Sequence, residues 1–322
     1  MMDLSLFQSL LEAMTETCRL ILVGDMFQLP SVDAGAVLGD LTGCFTNGGN
    51  IATLSGACAS WVTDVTDGID TDDSEERPDL QFSTPEALAA AGQLADHAIL
   101  LTRSYRSEQD ILTFAWKINA GEAETAINLA GTAADSATVS IDTTSGTGPV
   151  EAWLRCHFDS EKITNACTLL GAAEIEQISP EIVASARDLL FTSIVLTLAH
   201  EGTRGRRAIN RLAEQLLRER LGNSIGDRFF QGLPMILGTN HHDLDLYNGD
   251  LGIVLFLRNE GAKVLFPRGN GYRLAALDRL RDYEPAFALT VHKSQGTEFD
   301  NVLLVLPEQE SQIGRASWRE RV

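Results

Sequence analysis

Two apolar runs lying close together, Pro285–Val291 and Asn301–Leu306, constrain the possible fold more than any other feature of this chain. Each is short and β-prone and lacks the polar alternation of a strand with one wet face, so both read as strands buried on both sides. Strands of that kind belong to sheets covered by helices, which points to an α/β fold. Between the runs stand Thr290, His292, Lys293, Ser294, Gln295, Gly296 and Glu298. A hydroxyl, an imidazole, an ammonium, an amide, a glycine and a carboxylate in one turn are hard to explain as packing. A loop at the end of a buried strand is where an open α/β sheet binds ligands, and Gly296 would let backbone approach a phosphate closely. The competing reading is an ordinary polar surface turn.

Two further segments repeat this architecture with different polar groups. Leu20–Val23 is a buried-type strand ending in Gly24-Asp25 and followed by Gln28 in a loop bounded by Pro30. An uncharged donor and acceptor such as Gln28 can orient a water or the terminal phosphate of a nucleotide; otherwise Gly24-Asp25 is merely a turn. Ala98–Thr102 is an apolar strand running into Ser104-Tyr105-Arg106. The planar, permanently charged fork of Arg106 suits the charge that builds on a transferring phosphoryl group, and the alternative is a surface ion pair.

In series, Gly24-Asp25-x-x-Gln28-Leu29-Pro30-Ser31-Val32, Ser104-Tyr105-Arg106, Asn248-Gly249-Asp250-x-Gly252 and Val291-His292-Lys293-Ser294-Gln295-Gly296-x-Glu298-Phe299 resemble the RecD family. These are superfamily-one DNA helicases, the alpha subunit of exodeoxyribonuclease V. The likeness extends to Val32–Asp40, Ile118–Gly121, His200-Glu201-Gly202 with Asn210, and Gly232–Ile236, and covers about Met1 to Ser311.

The resemblance implies tandem P-loop NTPase (RecA-like) motor lobes, with ATP in the cleft between them and single-stranded DNA across their tops. It implies a cytoplasmic, ATP- and Mg2+-dependent motor moving 5′ to 3′ beside RecB- and RecC-type subunits, processing double-strand ends in repair and recombination. Gln28 from the first lobe and Arg106 from the second are then the catalytic candidates at the γ-phosphate. Gly24, Asp25, Gly296 and Glu298 complete the nucleotide-binding set, while Thr290, His292, Lys293, Ser294 and Asn248 face DNA. Phe27 stands where the family usually has a polar residue, and His200 and Arg204 depart from the family's Arg-Glu-Gly-Pro-Phe-Gly pattern.

No Gly-x-x-x-x-Gly-Lys-Ser/Thr phosphate loop occurs in the 322 residues. Met1-Met2-Asp3-Leu4 matches the tail of the family's Asp-Glu-Ala-Ser-Met-x-Asp motif, so the magnesium acids are expected upstream of Met1 and no metal ligand is assigned within the chain. The first lobe is read as incomplete. The family's later arginine motif, Thr-Ala-Val-Thr-Arg-Ala, does not follow Leu306-Pro307, and residues 313–322 read as translated sequencing adapter, a non-native tail. Finding the same codons in genomic context would contradict that last expectation.

The expected organisation is residues 1–103 as the remainder of the first lobe, 104–246 and 284–312 as the second, and 247–283 as an SH3-like β-barrel insertion. Short strands are predicted over Leu251–Leu257, Ala262–Phe266 and Tyr272–Ala275, the last two joined by a Gly269-Asn270-Gly271 hairpin turn. Helices are predicted over Leu4–Met14, Ser107–Asn119, Glu161–Gln177 and Pro180–Leu190, helices open near Ala34 and Thr84, and Thr192–Leu198 is predicted as a strand. Gly131–Pro149 reads as a loop with at most one short strand.

Net charge is the main objection to a nucleic-acid motor: 25 Lys and Arg against 45 Asp and Glu leave −20, whereas phosphate contacts need cations. Acid concentrates in Asp64–Glu76, read as a self-repelling insertion. Arg204, Arg206, Arg207, Arg211, Arg218 and Arg220 gather on or just before a helical pattern, as a basic edge or a solvated face. Five widely spaced cysteines without a Cys-x-x-Cys pair argue for a reducing compartment and against zinc. No apolar run reaches the roughly 18 residues that span a membrane, and no secretory leader is read. Two other readings stand beside the helicase: a conjugative relaxase-type helicase with a similar second lobe, and a non-enzymatic DNA- or subunit-binding module.

Overall fold

The computed structural model describes residues 4–24, 37–42, 97, 109–132, 138–170, 177–221, 228–269 and 271–307. The chain divides into two compact units, Met1–Leu112 and Thr113–Val322. In the first, α1 spans Leu4–Ala13 and α2 Val37–Thr42. The strand predicted at Leu20–Val23 is not formed: the segment has no regular structure, and Ile21 and Val23 are 83% and 93% exposed. A β-prone run becomes a strand only beside another strand that satisfies its amides and covers its side chains, and among the described residues none lies beside it. The segments expected to hold Asp25, Gln28 and Arg106, and the helix start at Thr84, lie outside the described residues.

Helix α3, Gln109–Asn119, runs across the division between the units, and α4 follows at Ala123–Leu129. The short parallel strands β1 (Gly131–Thr132) and β2 (Ser140–Ile141) lead to α5, Gly148–Asp159. Here the expected loop is corrected: it carries two strands, and a helix opens at its end. The sequence signal was available, since Pro149 sits in the first turn and Val150, Leu154 and Phe158 recur at fourfold spacing and are buried. Helix α6 spans Glu161–Leu170, and α7 spans Pro180–Phe191, its first turn capped by the Ser179 hydroxyl accepting from the Ile182 amide.

Strand β3, Ser193–Thr197, and α8, Arg206–Leu221, follow. Then come β4 (Pro234–Leu237), β5 (Leu251–Leu257), β6 (Gly261–Arg268), β7 (Gly271–Ala276), β8 (Tyr283–Pro285), β9 (Ala288–Thr290) and β10 (Asn301–Val305). Two sheets result. The three-stranded sheet is parallel in the order β10-β3-β9, with Asn301 opposite Ser193 and Thr290 opposite Thr197. The five-stranded sheet is antiparallel in the order β7-β6-β5-β4-β8. Its three predicted strands fall where their β-branched and aromatic runs put them. It also recruits β4 and β8, which flank the segment 247–283.

One apolar cluster runs from Leu154, Ile163 and Leu170 on the helices through Ile194 to Ile253 and Leu265 on the antiparallel sheet. Gly252 belongs to this packing: a Cβ there would lie 2.7 Å from Val264 and Phe266 side-chain atoms. Beside this cluster, against Trp153 and Phe158, burial pushes the His157 imidazole down to about 4, its ring stacked 6.1 Å from Trp153. Between roughly pH 6.5 and pH 4 the unfolded chain therefore binds a proton that the folded chain does not, and stability falls as pH drops through that window. Urea midpoints measured across it are expected to decline, and His157→Phe to flatten the decline; an unchanged slope in the variant would contradict this assignment.

Candidate functional site

The site is assembled around the parallel sheet. Strand β3 leaves the sheet at Thr197, buried, with its hydroxyl donating to the Ala199 carbonyl at 2.6 Å. The chain turns through His200-Glu201-Gly202 into α8, whose Asn210 reaches back to β9. Its side-chain oxygen accepts from the Phe287 and Ala288 amides at 3.0 and 2.9 Å, and its nitrogen donates to the Ala288 carbonyl at 2.9 Å. Asn210 is 5% exposed, so these three bonds replace water for a buried stretch of strand.

Strand β9 ends at Thr290, which is buried at 7% exposure. A tight turn follows: the Lys293 and Ser294 amides both donate to the Thr290 carbonyl, and the Ser294 hydroxyl donates to Val291. His292 is exposed and Lys293 and Ser294 are half-buried. Since β10 is parallel to β9, the loop must return from the Thr290 end of the sheet to the Asn301 end. Gly296 lets it do so at φ +84°, where a Cβ would meet nothing within 4 Å. The glycine thus supplies a left-handed backbone conformation rather than room. Gly296, Thr297 and Glu298 then line a cleft of about 610 Å³ with Gly249, Asp250 and Arg187.

Two of the four motifs therefore meet within the second unit. The Asn-Gly-Asp turn is held by its own side chains: the Tyr247 amide donates to Asp250 at 2.8 Å, and the Asn248 amide to the Asn240 side chain at 2.8 Å. Arg268 bridges Asp250 at 2.7 Å and Asp245 at 3.4 Å, and its guanidinium sits 5.5 Å from the Tyr247 ring. Asn248 itself is exposed. In the first unit, Gly24 is exposed at the end of its irregular segment.

The residue that sequence reasoning missed is Glu284. It takes a two-pronged hydrogen bond from Arg206 and a second contact from the Lys293 ammonium at 2.9 Å. The Arg206 guanidinium, with help from Lys293, holds its carboxyl at about 2, well below the usual carboxylate range, against the opposing effect of burial. A glutamate six residues before a Thr-x-His-Lys turn carries no motif of its own, so only the fold exposes the pairing.

Several of the arginines read as a basic edge are internally committed. Arg204 donates to the Thr144 and Gly146 carbonyls at 2.8 and 3.1 Å, Arg218 pairs with Glu214, and Arg220 with Asp159. All four lysines are likewise ion-paired, Lys117 with Glu122, Lys162 with Asp188 and Asp300, Lys263 with Glu260, and Lys293 with Glu284. Among the described residues no group of three or more His, Cys, Asp or Glu is placed to hold a metal ion, and no helix is long and apolar enough to cross a membrane.

No protein-family model matches the chain. Curated relatives do. A protein of Mycobacterium tuberculosis (strain CDC 1551 / Oshkosh) named RecBCD enzyme subunit RecD is 28% identical over 313 residues, 97% of this chain and 44% of that protein. Its namesake in Haemophilus influenzae is 28% identical over 322 residues, 96% of this chain and 45% of that protein. The chain is similar to RecD subunits along nearly its whole length. It spans less than half the length of these RecD relatives. A shorter RecD match, to Buchnera aphidicola subsp. Acyrthosiphon pisum, is 34% identical over 124 residues, 37% of this chain. Among solved structures, the Pif1 helicase from Bacteroides in complex with ADP-AlF3 and ssDNA overlaps 53% of this chain and 46% of its own at 17% identity and TM-score 0.23.

Proposed function

We propose that the chain is part of an ATP-dependent DNA helicase subunit of a RecBCD-type exodeoxyribonuclease V, acting with RecB- and RecC-type subunits at double-strand ends in repair and recombination. The observation that carries this reading is homology to RecD subunits along nearly the whole chain. The meeting of the Asn-Gly-Asp turn and the Gln-Gly-x-Glu loop at one cleft supports it. In this reading the parallel sheet β10-β3-β9 is the core of the second RecA-like lobe, and residues 247–283, which supply β5, β6 and β7 of the antiparallel sheet, are its SH3-like insertion. The division into lobes at 103/104 and the cytoplasmic location belong to the same reading.

Within it, Gln28 and Arg106 act on the terminal phosphate of ATP, with Gly24 and Asp25 in the motif that carries Gln28; both Gln28 and Arg106 precede Leu112, the end of the first compact unit. Gly296 and Glu298 link the nucleotide to the loop that carries His292, Lys293 and Ser294, and these grip single-stranded DNA together with Asn248. Thr290, being buried, shapes that loop from beneath. When bound, Mg2+ would neutralise phosphate charge, but the described residues offer it no cluster of ligands, so its ligands are sought outside them. Nucleotide turnover changes the contacts each lobe makes, and 5′-to-3′ stepping is the consequence. A relaxase-type helicase would share this second lobe; an upstream histidine cluster in the full gene would favour it.

The non-enzymatic reading applies to the 322 residues taken alone, which lack a phosphate loop. Their expected behaviour is binding of a labelled single-stranded oligonucleotide, weakening steeply with salt, without DNA-stimulated ATP hydrolysis. Anisotropy and a coupled ATPase assay check both halves. Robust turnover would refute the second, and no binding at low salt would refute the DNA reading itself.

A further inference from the structure

Glu284 sits where three pieces of the second unit come together: it lies on β8 of the antiparallel sheet, Arg206 begins α8, and Lys293 belongs to the loop after β9. The charges there do not balance. Arg206, with a side chain 6% exposed, already takes both carboxylate oxygens, and Lys293 adds a second cation to the same acid. Elsewhere the counts differ: Arg268 and Arg273 face Asp245 and Asp250, and Lys162 faces two acids. The cluster therefore carries one surplus positive charge on a chain whose net charge is −20.

Resting on the DNA-binding reading above, we infer that Glu284, braced by Arg206, is a positioning residue that aims the Lys293 ammonium at a backbone phosphate of a nucleic-acid strand lying along the loop. The carboxylate fixes the ammonium in place without cancelling it, because its own charge is already matched by Arg206. An ammonium on a four-carbon stem otherwise loses much rotamer freedom on gripping a phosphate. The Lys293 side chain is 33% exposed, so a strand lying along the loop can reach it. Arg206 is held too deeply to make that contact itself.

The test is a double-mutant cycle on the whole chain, reading affinity for a fluorescein-labelled oligothymidylate against salt, with urea midpoints measured in parallel. Lys293→Met leaves the Arg206–Glu284 pair intact and is expected to weaken binding about tenfold, as loss of a hydrogen bond between charged groups does, and to lower the salt slope by about 0.7, the share of one single-strand phosphate. Glu284→Gln is expected to weaken binding severalfold with Lys293 present and not at all in the Lys293→Met background. Glu284→Asp, which keeps the charge, should restore part of the loss. Should Glu284→Gln fail to fold, the Glu284→Asp and Lys293→Met pair completes the cycle. An equal effect of the Glu284 variants in both backgrounds, or an unchanged slope in Lys293→Met while the parent binds, would overturn the positioning role alone. Failure of the parent chain to bind the oligonucleotide would overturn the DNA reading and this inference with it.

Discussion

Replacing Arg106 by alanine in the full-length protein is expected to lower DNA-stimulated ATP turnover on the order of 10³-fold or more while single-stranded DNA binding is retained. The magnitude follows from where the charge is needed. As a phosphoryl group transfers, negative charge spreads over its oxygens, and in the proposed reading the Arg106 guanidinium meets that charge only in the transition state. Such a contact raises turnover rather than substrate affinity. Lysine is an incomplete substitute, since an ammonium lacks the planar fork that spans two oxygens. Steady-state hydrolysis with saturating oligonucleotide checks the expectation. Turnover within about tenfold of the parent would return Arg106 to the surface ion pair that is its alternative reading.

Asn210→Ala is expected to destabilise the second unit by about 3 kcal/mol. The side chain makes three hydrogen bonds to the backbone of Phe287 and Ala288. Both residues are buried, at 8% and 0% exposure, so truncation strands two amides and a carbonyl away from water. Each buried group left unpaired costs about 1–3 kcal/mol, and water entering the vacated space recovers part of the sum. Asn210→Leu keeps the volume and should lose nearly as much, which separates the bonds from the void. Urea unfolding followed by circular dichroism measures both variants, and a loss below about 1 kcal/mol in either would contradict the clamp. Because β9 feeds directly into the Thr290 turn, loosening it also loosens the loop carrying His292 and Lys293.

The fold was legible in the sequence where short-range pattern decides structure. Leu251–Leu257 and Ala262–Phe266 carry enough β-branched and aromatic residues to declare themselves, and the helix expected over Pro180–Leu190 forms at Pro180–Phe191. Pattern failed at Leu20–Val23, where an apolar β-prone run has no covering neighbour among the described residues and lies exposed, and in part at Asn301–Leu306, which forms β10 but at the sheet edge and not buried on both sides as expected, with Val302 and Leu304 51% and 52% exposed. It also failed at Gly148–Asp159, where Gly and Thr at the start of the helix hid the fourfold spacing that follows.

The candidate site divides along the same line. Motif order drew attention to Gly249, Asp250, Gly296 and Glu298, and these line one cleft. Which of the polar groups are already spoken for could not be read from order. Arg206 and Lys293 look like independent surface cations in the sequence, yet they share one carboxylate 78 residues from the first and nine from the second. Thr290 reads as a polar loop residue but is buried beneath the turn, because parallel pairing with Thr197 carries it inside. Burial and long-range ion pairing are properties of the packed chain, which explains why local sequence was silent about them.

The central claim, that this chain is part of an ATP-driven DNA motor, is tested most directly by strand separation. The full gene product, purified with the proposed RecB- and RecC-type subunits and with any motor activity of theirs inactivated, should unwind a duplex bearing a 5′ single-stranded tail and leave a 3′-tailed duplex intact, with ATP hydrolysis rising when DNA is added. Hydrolysis indifferent to DNA, or no unwinding of either substrate, would contradict it.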